Sequence, residues 1–84
     1  MLNIVFFASV KERLGCATLE LEWGDATSSL ERLVELLCQR DNGLWRDVLR
    51  QENIIRAVNQ SVVAEDIELH DYDEVAFFPP VTGG

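Results

Sequence analysis

Apolar residues repeat at two periods along this chain, and the change of period marks its elements. From Leu2 to Ala8 they alternate, with Ile4, Phe6 and Ala8 on one side and Asn3, Val5, Phe7 and Ser9 on the other. That pattern predicts a first strand whose second face, with polar ends, is the less buried. Ala17 to Trp23 alternates more strictly, Ala17, Leu19, Leu21 and Trp23 against Thr18, Glu20 and Glu22. This is a half-buried strand with a solvated face, ended by Gly24-Asp25. Between the two, Lys11 to Gly15 reads as a short turn or a single helical turn closed by glycine.

The period then lengthens. Leu30, Leu33, Val34, Leu37 and Cys38 form one apolar stripe at helical spacing and predict a helix over Ser28–Arg40. Ser28 or Ser29 is its N-cap, Ser28 and Glu31 having capping-box spacing, and Asn42-Gly43 stops it. A shorter helix follows with Leu44, Trp45, Val48 and Leu49 on its inner side. Ile54 to Val58 reads as a third strand that turns at Asn59-Gln60 into Val62-Val63. Glu65-Asp66 opens an irregular stretch through Ile67 and Leu69. Asp71-Tyr72-Asp73 is turn-like, with His70 beside it as a solvated loop residue. Glu74 to Phe78 is the last strand, halted by Pro79-Pro80, which cannot continue a ladder.

This order implies an α+β fold, a single mixed sheet wrapped across one main helix. The 84 residues form one domain, 1–84, with a tail over 79–84. Phenylalanines come in pairs on two strands, Phe6-Phe7 and Phe77-Phe78. A sheet covered on one face cannot bury all four, so Phe7 and Phe78 are candidates for an exposed apolar partner surface. The alternative places them under the second helix or a loop.

Composition narrows the partners. Hydrophobic residues at 48% and charged residues at 26% are ordinary for a soluble domain. A net charge of −8 argues against nucleic acid, which needs clustered Lys and Arg. Acidity either steers the domain toward basic protein surfaces or simply keeps it soluble. Cys16 and Cys38 have neither metal spacing nor a disulfide framework, and structural roles are expected for both. Met1 to Val10 lacks the basic region and cleavage site of a signal peptide, and no run reaches membrane-spanning length. The chain reads as cytoplasmic, so the glycosylation pattern at Asn59-Gln60-Ser61 is coincidental.

The chemistry lies at the end of the sequence. Gly83-Gly84 is narrow, conformationally free and unhindered at its last carbonyl. Such a tail can thread into another protein's active site and have its carboxylate activated. A carboxylate is a poor electrophile until converted to a system with a better leaving group. From Phe78 to Gly84 the chain extends roughly 20 Å. Pro79-Pro80 stiffens its root and lowers the cost of ordering it on insertion.

Ala57-Val58-Asn59-Gln60-Ser61-Val62-Val63 and Asp73-Glu74-Val75-Ala76-Phe77-Phe78-Pro79-Pro80-Val81-Thr82-Gly83-Gly84 closely resemble the small subunit of molybdopterin synthase, the MoaD family. So does Phe6-Phe7-Ala8 followed by Lys11-Glu12 and Gly15. The last twelve residues match nearly position for position, the first fifteen moderately, and Ala17 to Arg56 only in hydrophobic pattern. Lys11 stands where this family often has arginine, which weakens any bidentate contact there.

The resemblance implies a ubiquitin-like β-grasp fold with a flexible Gly-Gly tail, and a sulfur carrier. An E1-like adenylyltransferase would adenylate the Gly84 carboxylate with ATP, and sulfur from a persulfide on a donor protein would displace AMP and leave a thiocarboxylate. The large synthase subunit would receive the tail, in a heterotetramer of two small and two large subunits. There the sulfur attacks a cyclic pyranopterin monophosphate, two charged carriers serving each dithiolene. Gly84 is then the reacting residue, and Phe7, Phe78, Pro79, Pro80, Val81, Thr82 and Gly83 are the partner-binding residues. The catalytic pocket belongs to the large subunit. No metal and no permanently bound cofactor is implied; ATP is consumed by the activating enzyme. The resemblance implies neither a nucleic acid nor a membrane partner. Other readings are a thiamin-type sulfur carrier, a protein modifier forming isopeptides through Gly84, and a β-grasp adaptor that never uses its terminus.

Overall fold

The computed structural model describes residues 1–80. Its elements run β1 (Leu2–Phe6), α1 (Ala8–Leu14), β2 (Thr18–Leu21), α2 (Leu30–Leu37), α3 (Leu44–Leu49), β3 (Ile55–Val58), β4 (Ser61–Val63) and β5 (Glu74–Phe78). Single 3₁₀ turns at Asp25–Thr27 and Asp41–Gly43 precede α2 and α3. The five strands make one mixed sheet in the order β2-β1-β5-β3-β4. β5 runs parallel to β1, Ile4 opposite Val75 and Phe6 opposite Phe77, while every other pair is antiparallel. The first and last strands of the chain thus share the centre of the sheet.

One face of the sheet carries the core. Leu2, Ile4 and Phe6 of β1, Val58 of β3 and Val75 and Phe77 of β5 are buried against Leu30, Leu33, Val34 and Leu37 of α2. This is the α+β grasp expected from the element order. Phe6 stacks on Phe77 with centroids 5.7 Å apart and takes Trp45 edge-on at 5.3 Å, so aromatic geometry adds to area burial. Trp45 Nε1 donates to Asp41 Oδ2 at 2.9 Å, which satisfies the polar atom of a buried indole. Cys38 is buried in this core as a small hydrophobe, and Cys16 is half-buried with its thiol toward the Thr18 carbonyl.

α2 begins at Ser29, the second of the two serines considered. Ser29 Oγ accepts from Arg32 N, the Ile67 carbonyl accepts from Leu30 N, and Asp66 Oδ1 accepts from Glu31 N at 2.8 Å. Three donors that a helix start leaves free are therefore satisfied, two of them from a distant loop. The Ser28–Glu31 capping box does not form, because Ser28 Oγ donates to the Asp25 carbonyl instead. The helix is also shorter than its sequence stripe, ending at Leu37 with Cys38 as C-cap.

The main departure lies after β1. The strand stops at Phe6, and the segment expected as a short turn is the two-turn helix α1. Val10 and Leu14, one helical turn apart, are its buried face, and it packs against α3 and β5. Its apolar signal is only those two residues, too few to stand out by periodicity. Gly15 does close it, as expected, in the left-handed region at φ 64°, where its N–H bonds back to the Lys11 carbonyl.

Candidate functional site

The helix-free face of the sheet is built by alternation, so its members follow from the register. One row crosses it as Thr18, Val5, Ala76, Ala57 and Val62. The two central alanines are short side chains flanked by larger ones, and Val62 at the β4 edge is 68% exposed. The row below is polar, Glu20 beside Asn3 and Asn3 beside Glu74. The row above carries Phe78 opposite Ile55, with Phe7 next to Phe78. The face therefore grades from acidic at one end to aromatic at the other, and β5 leaves the sheet at the aromatic end.

Phe7 is 50% exposed and Phe78 partly so, and their rings meet edge to face at 6.4 Å. Neither lies in the core beneath α2, which leaves them as an apolar patch at the root of the tail. Their positions are held by backbone. Phe7 N–H donates to the Phe77 carbonyl at 3.1 Å, and the Phe7 carbonyl accepts from Val10 and Lys11 as the chain turns into α1. Ala8 makes that turn at φ 53°, a left-handed conformation unfavourable for a residue with a Cβ. Pro79 follows half-buried and Pro80 exposed, and Lys11 is exposed on α1 near the same end. Of the expected site residues, Phe7, Phe78, Pro79 and Pro80 are thus gathered in one place. Val81, Thr82, Gly83 and Gly84 lie outside the described residues.

The opposite end of β5 is tied down by polar contacts. Asp73 Oδ1 accepts from Asn59 Nδ2 at 2.9 Å and Oδ2 from His70 N at 2.8 Å, while Glu74 N donates to Asn59 Oδ1. Burial would raise the Asp73 carboxyl, but these donors and the nearby His70 hold it below the ordinary 3.8. His70 itself is largely solvated, as expected of a loop residue. Across α2 and α3 a second network links Glu31 to Arg50 and Arg56, and Glu35 to Arg46 and Arg50. The hydrogen bond from Arg50 is the largest influence lowering Glu31, and that from Arg46 the largest lowering Glu35.

Among the described residues no group of three or more His, Cys, Asp or Glu side chains could hold a metal ion, and no helix is long and apolar enough to cross a membrane. What the described residues offer is a helix-free sheet face with an apolar patch where β5 ends at Phe78. Alternation along the sequence puts Val5 on the side of Phe7 and Ala76 on the side of Phe78, but does not bring Ile55, Ala57 and Val62 to the same face. Alternation within a strand shows which residues share a side, but not which strands lie next to each other.

The sequence model of the ThiS family matches residues 4–84. At 40% identity over 84 residues, spanning the whole of both chains, the protein is similar to the molybdopterin synthase sulfur carrier subunit of Escherichia coli strain K12. It is 37% identical over the same full span to the subunit of that name from Haemophilus influenzae. Its structure is similar to that of SAMP1 from Haloferax volcanii, with a TM-score of 0.76 and 25% identity, covering 99% of this chain and 98% of that one. It shares its fold with a chain of the protein–protein complex of subunits 1 and 2 of molybdopterin-converting factor from Helicobacter pylori 26695 (TM-score 0.69, 24% identity, 99% of this chain and 97% of that one). With the family model covering nearly the whole chain and both curated relatives matching from end to end, this ubiquitin-like β-grasp protein belongs to the ThiS family.

Proposed function

We propose that this protein is the sulfur-carrier subunit of a molybdopterin synthase and that Gly84 is the residue that carries the sulfur. The observation that bears most weight is the full-length similarity, at 37–40% identity, to two proteins of that name. The geometry suits the role: a sheet face graded toward Phe7 and Phe78, and a proline-stiffened chain leaving beside those rings. The face docks on the large subunit while the tail reaches into its pocket.

Loading proceeds in two displacements. The Gly84 carboxylate attacks the α-phosphorus of ATP on an E1-like partner, forming an acyl-adenylate and releasing pyrophosphate. The terminal sulfur of a donor persulfide then attacks the acyl carbon and expels AMP, giving an acyl disulfide. A thiol on the donor cleaves the S–S bond, ending as a disulfide itself and leaving the thiocarboxylate on Gly84. No side chain stands at Gly84 to obstruct either approach.

A second reading has one observation in its favour. SAMP1, the structural neighbour at 25% identity, is a small archaeal modifier protein, and an activated Gly84 could equally acylate a lysine amine. The test is the intact mass of the chain purified from a host that makes molybdenum cofactor. A species with one oxygen exchanged for sulfur is expected. High-mass lysine conjugates without that species would establish the modifier instead, and neither form would overturn both.

A further inference from the structure

A groove of about 520 Å³ opens where β2 runs into the loop before α2, lined by Leu21, Glu22, Trp23, Asp25, Thr27 and Leu36 among others. It lies at the far end from the tail. Leu21 pairs with Leu2 at the start of β1, whereas the tail leaves where Phe6 pairs with Phe77. At ~3.3 Å per residue these ends are roughly 13 Å apart along β1.

Trp23 was expected on the inward face of β2, yet it is 42% exposed. It is not loose. Its Nε1 donates to the Leu69 carbonyl at 2.9 Å, so the polar atom is satisfied from within and the ring offers a partner its hydrocarbon and π surface. The loop beneath is also fixed. Thr27 is buried, and its Oγ1 donates to the Glu22 carbonyl and accepts from Gly24 N, both at 3.0 Å. The charge at the mouth is negative: among the described residues neither the Glu22 nor the Asp25 carboxylate makes an ion pair. Arg32, the nearby cation, spends a donor on the Asp25 backbone carbonyl rather than on either carboxylate.

We propose that this groove docks a lysine- or arginine-bearing segment of a partner protein, its aliphatic stem on the Trp23 ring and its charge between Glu22 and Asp25. An aromatic ring held at its N–H, in a groove lined also by Glu22 and Asp25, complements a long cationic side chain, whose stem is apolar and whose head is attracted both by carboxylates and by the indole face. An acidic or purely apolar segment would leave the carboxylates unmatched. Because the groove is remote from the tail root, a partner can hold it while the C-terminus is engaged elsewhere. The proposal is independent of what Gly84 carries.

The test is an NMR titration of the ¹⁵N-labelled full chain with the hexapeptide acetyl-Gly-Leu-Arg-Leu-Lys-Gly-amide, and with the same peptide carrying Glu in place of Arg and Lys. The two indole N–H signals separate the sites, since Trp45 is buried and Trp23 is not. The basic peptide is expected to shift the Trp23 signal saturably and leave Trp45 and the Phe7–Phe78 region unmoved, while the acidic peptide does nothing. Raising salt toward ~0.5 M should weaken binding severalfold. Trp23→Ala should lose it, and the double variant Glu22→Gln, Asp25→Asn, which removes exposed charge without touching the core, should weaken it about fivefold. Equal shifts with both peptides, no shift at all, or shifts confined to the Phe7–Phe78 face would overturn the proposal. So would a Trp23 shift that depends on protein concentration without peptide, which would make the occupant a second copy of this chain.

Discussion

The ring of Phe7 stands edge-on to that of Phe78, at an interplanar angle of 75°, although the two residues come from opposite ends of the sequence. The parallel pairing of β1 with β5 makes them neighbours, and the Phe7 N–H to Phe77 carbonyl bond extends that pairing one residue beyond the strand. The patch is therefore built by the same two strands that share the centre of the sheet. Pro79, which follows Phe78, continues from the same place.

Phe7→Asp and Phe78→Asp are expected to weaken binding to the large subunit by at least ~10-fold, as for aromatic anchors at interface centres. Thermal stability should fall far less, because both rings lie off the core that Phe6 and Phe77 form. Isothermal titration beside thermal melts checks this; losses of equal energy in both would show the rings to be structural.

Deleting Gly84, or extending the chain beyond it, is expected to abolish sulfur loading by the activating enzyme while leaving the amide spectrum of residues 1–80 unchanged. Intact mass after incubation with ATP, activating enzyme and a persulfide donor reads the outcome. Full loading of either variant would remove Gly84 from the mechanism.

Asp73→Asn is expected to destabilise the fold by ~1–2 kcal/mol, since the carboxylate receives hydrogen bonds from both Asn59 and His70 N. The sign with pH follows from its lowered folded value. The contribution is fully present above the ordinary 3.8 of an unfolded aspartate and is lost as pH falls through the lower folded value. Acid unfolding of the variant, followed by circular dichroism below pH 4, should accordingly be shallower than that of the parent. Parallel acid limbs would show that Asp73 does not contribute.

Ala8→Gly is expected to stabilise the domain by ~1 kcal/mol, because glycine reaches φ 53° without the Cβ clash that alanine suffers. Urea unfolding gives the difference. A loss of stability instead would mean that the entropy of the unfolded glycine chain outweighs the strain at the β1–α1 turn.

Sequence determined most of what is local and strongly periodic. The stripe from Leu30 to Leu37 specified α2, and the run from Glu74 to Phe78 ahead of two prolines specified β5 and the start of the tail. Asn59-Gln60 specified the hairpin between β3 and β4, and both residues take the positive φ such a tight turn needs. The likeness of the last twelve residues to a sulfur-carrier family was legible for the same reason, since chemistry at a chain end is written in consecutive residues. Tertiary structure decided the rest. α1 exists because Val10 and Leu14 find α3 and β5, contacts that no short window of sequence contains. Asp66 caps α2 from a distant loop, and Trp23, past the end of β2 at Leu21, is part-exposed with its indole N–H held by the Leu69 carbonyl. The helix-free face is a property of strand order: Val5, Ala76 and Ala57 share one row only because β1, β5 and β3 lie side by side, and long-range pairing is set by the whole core rather than by any one strand.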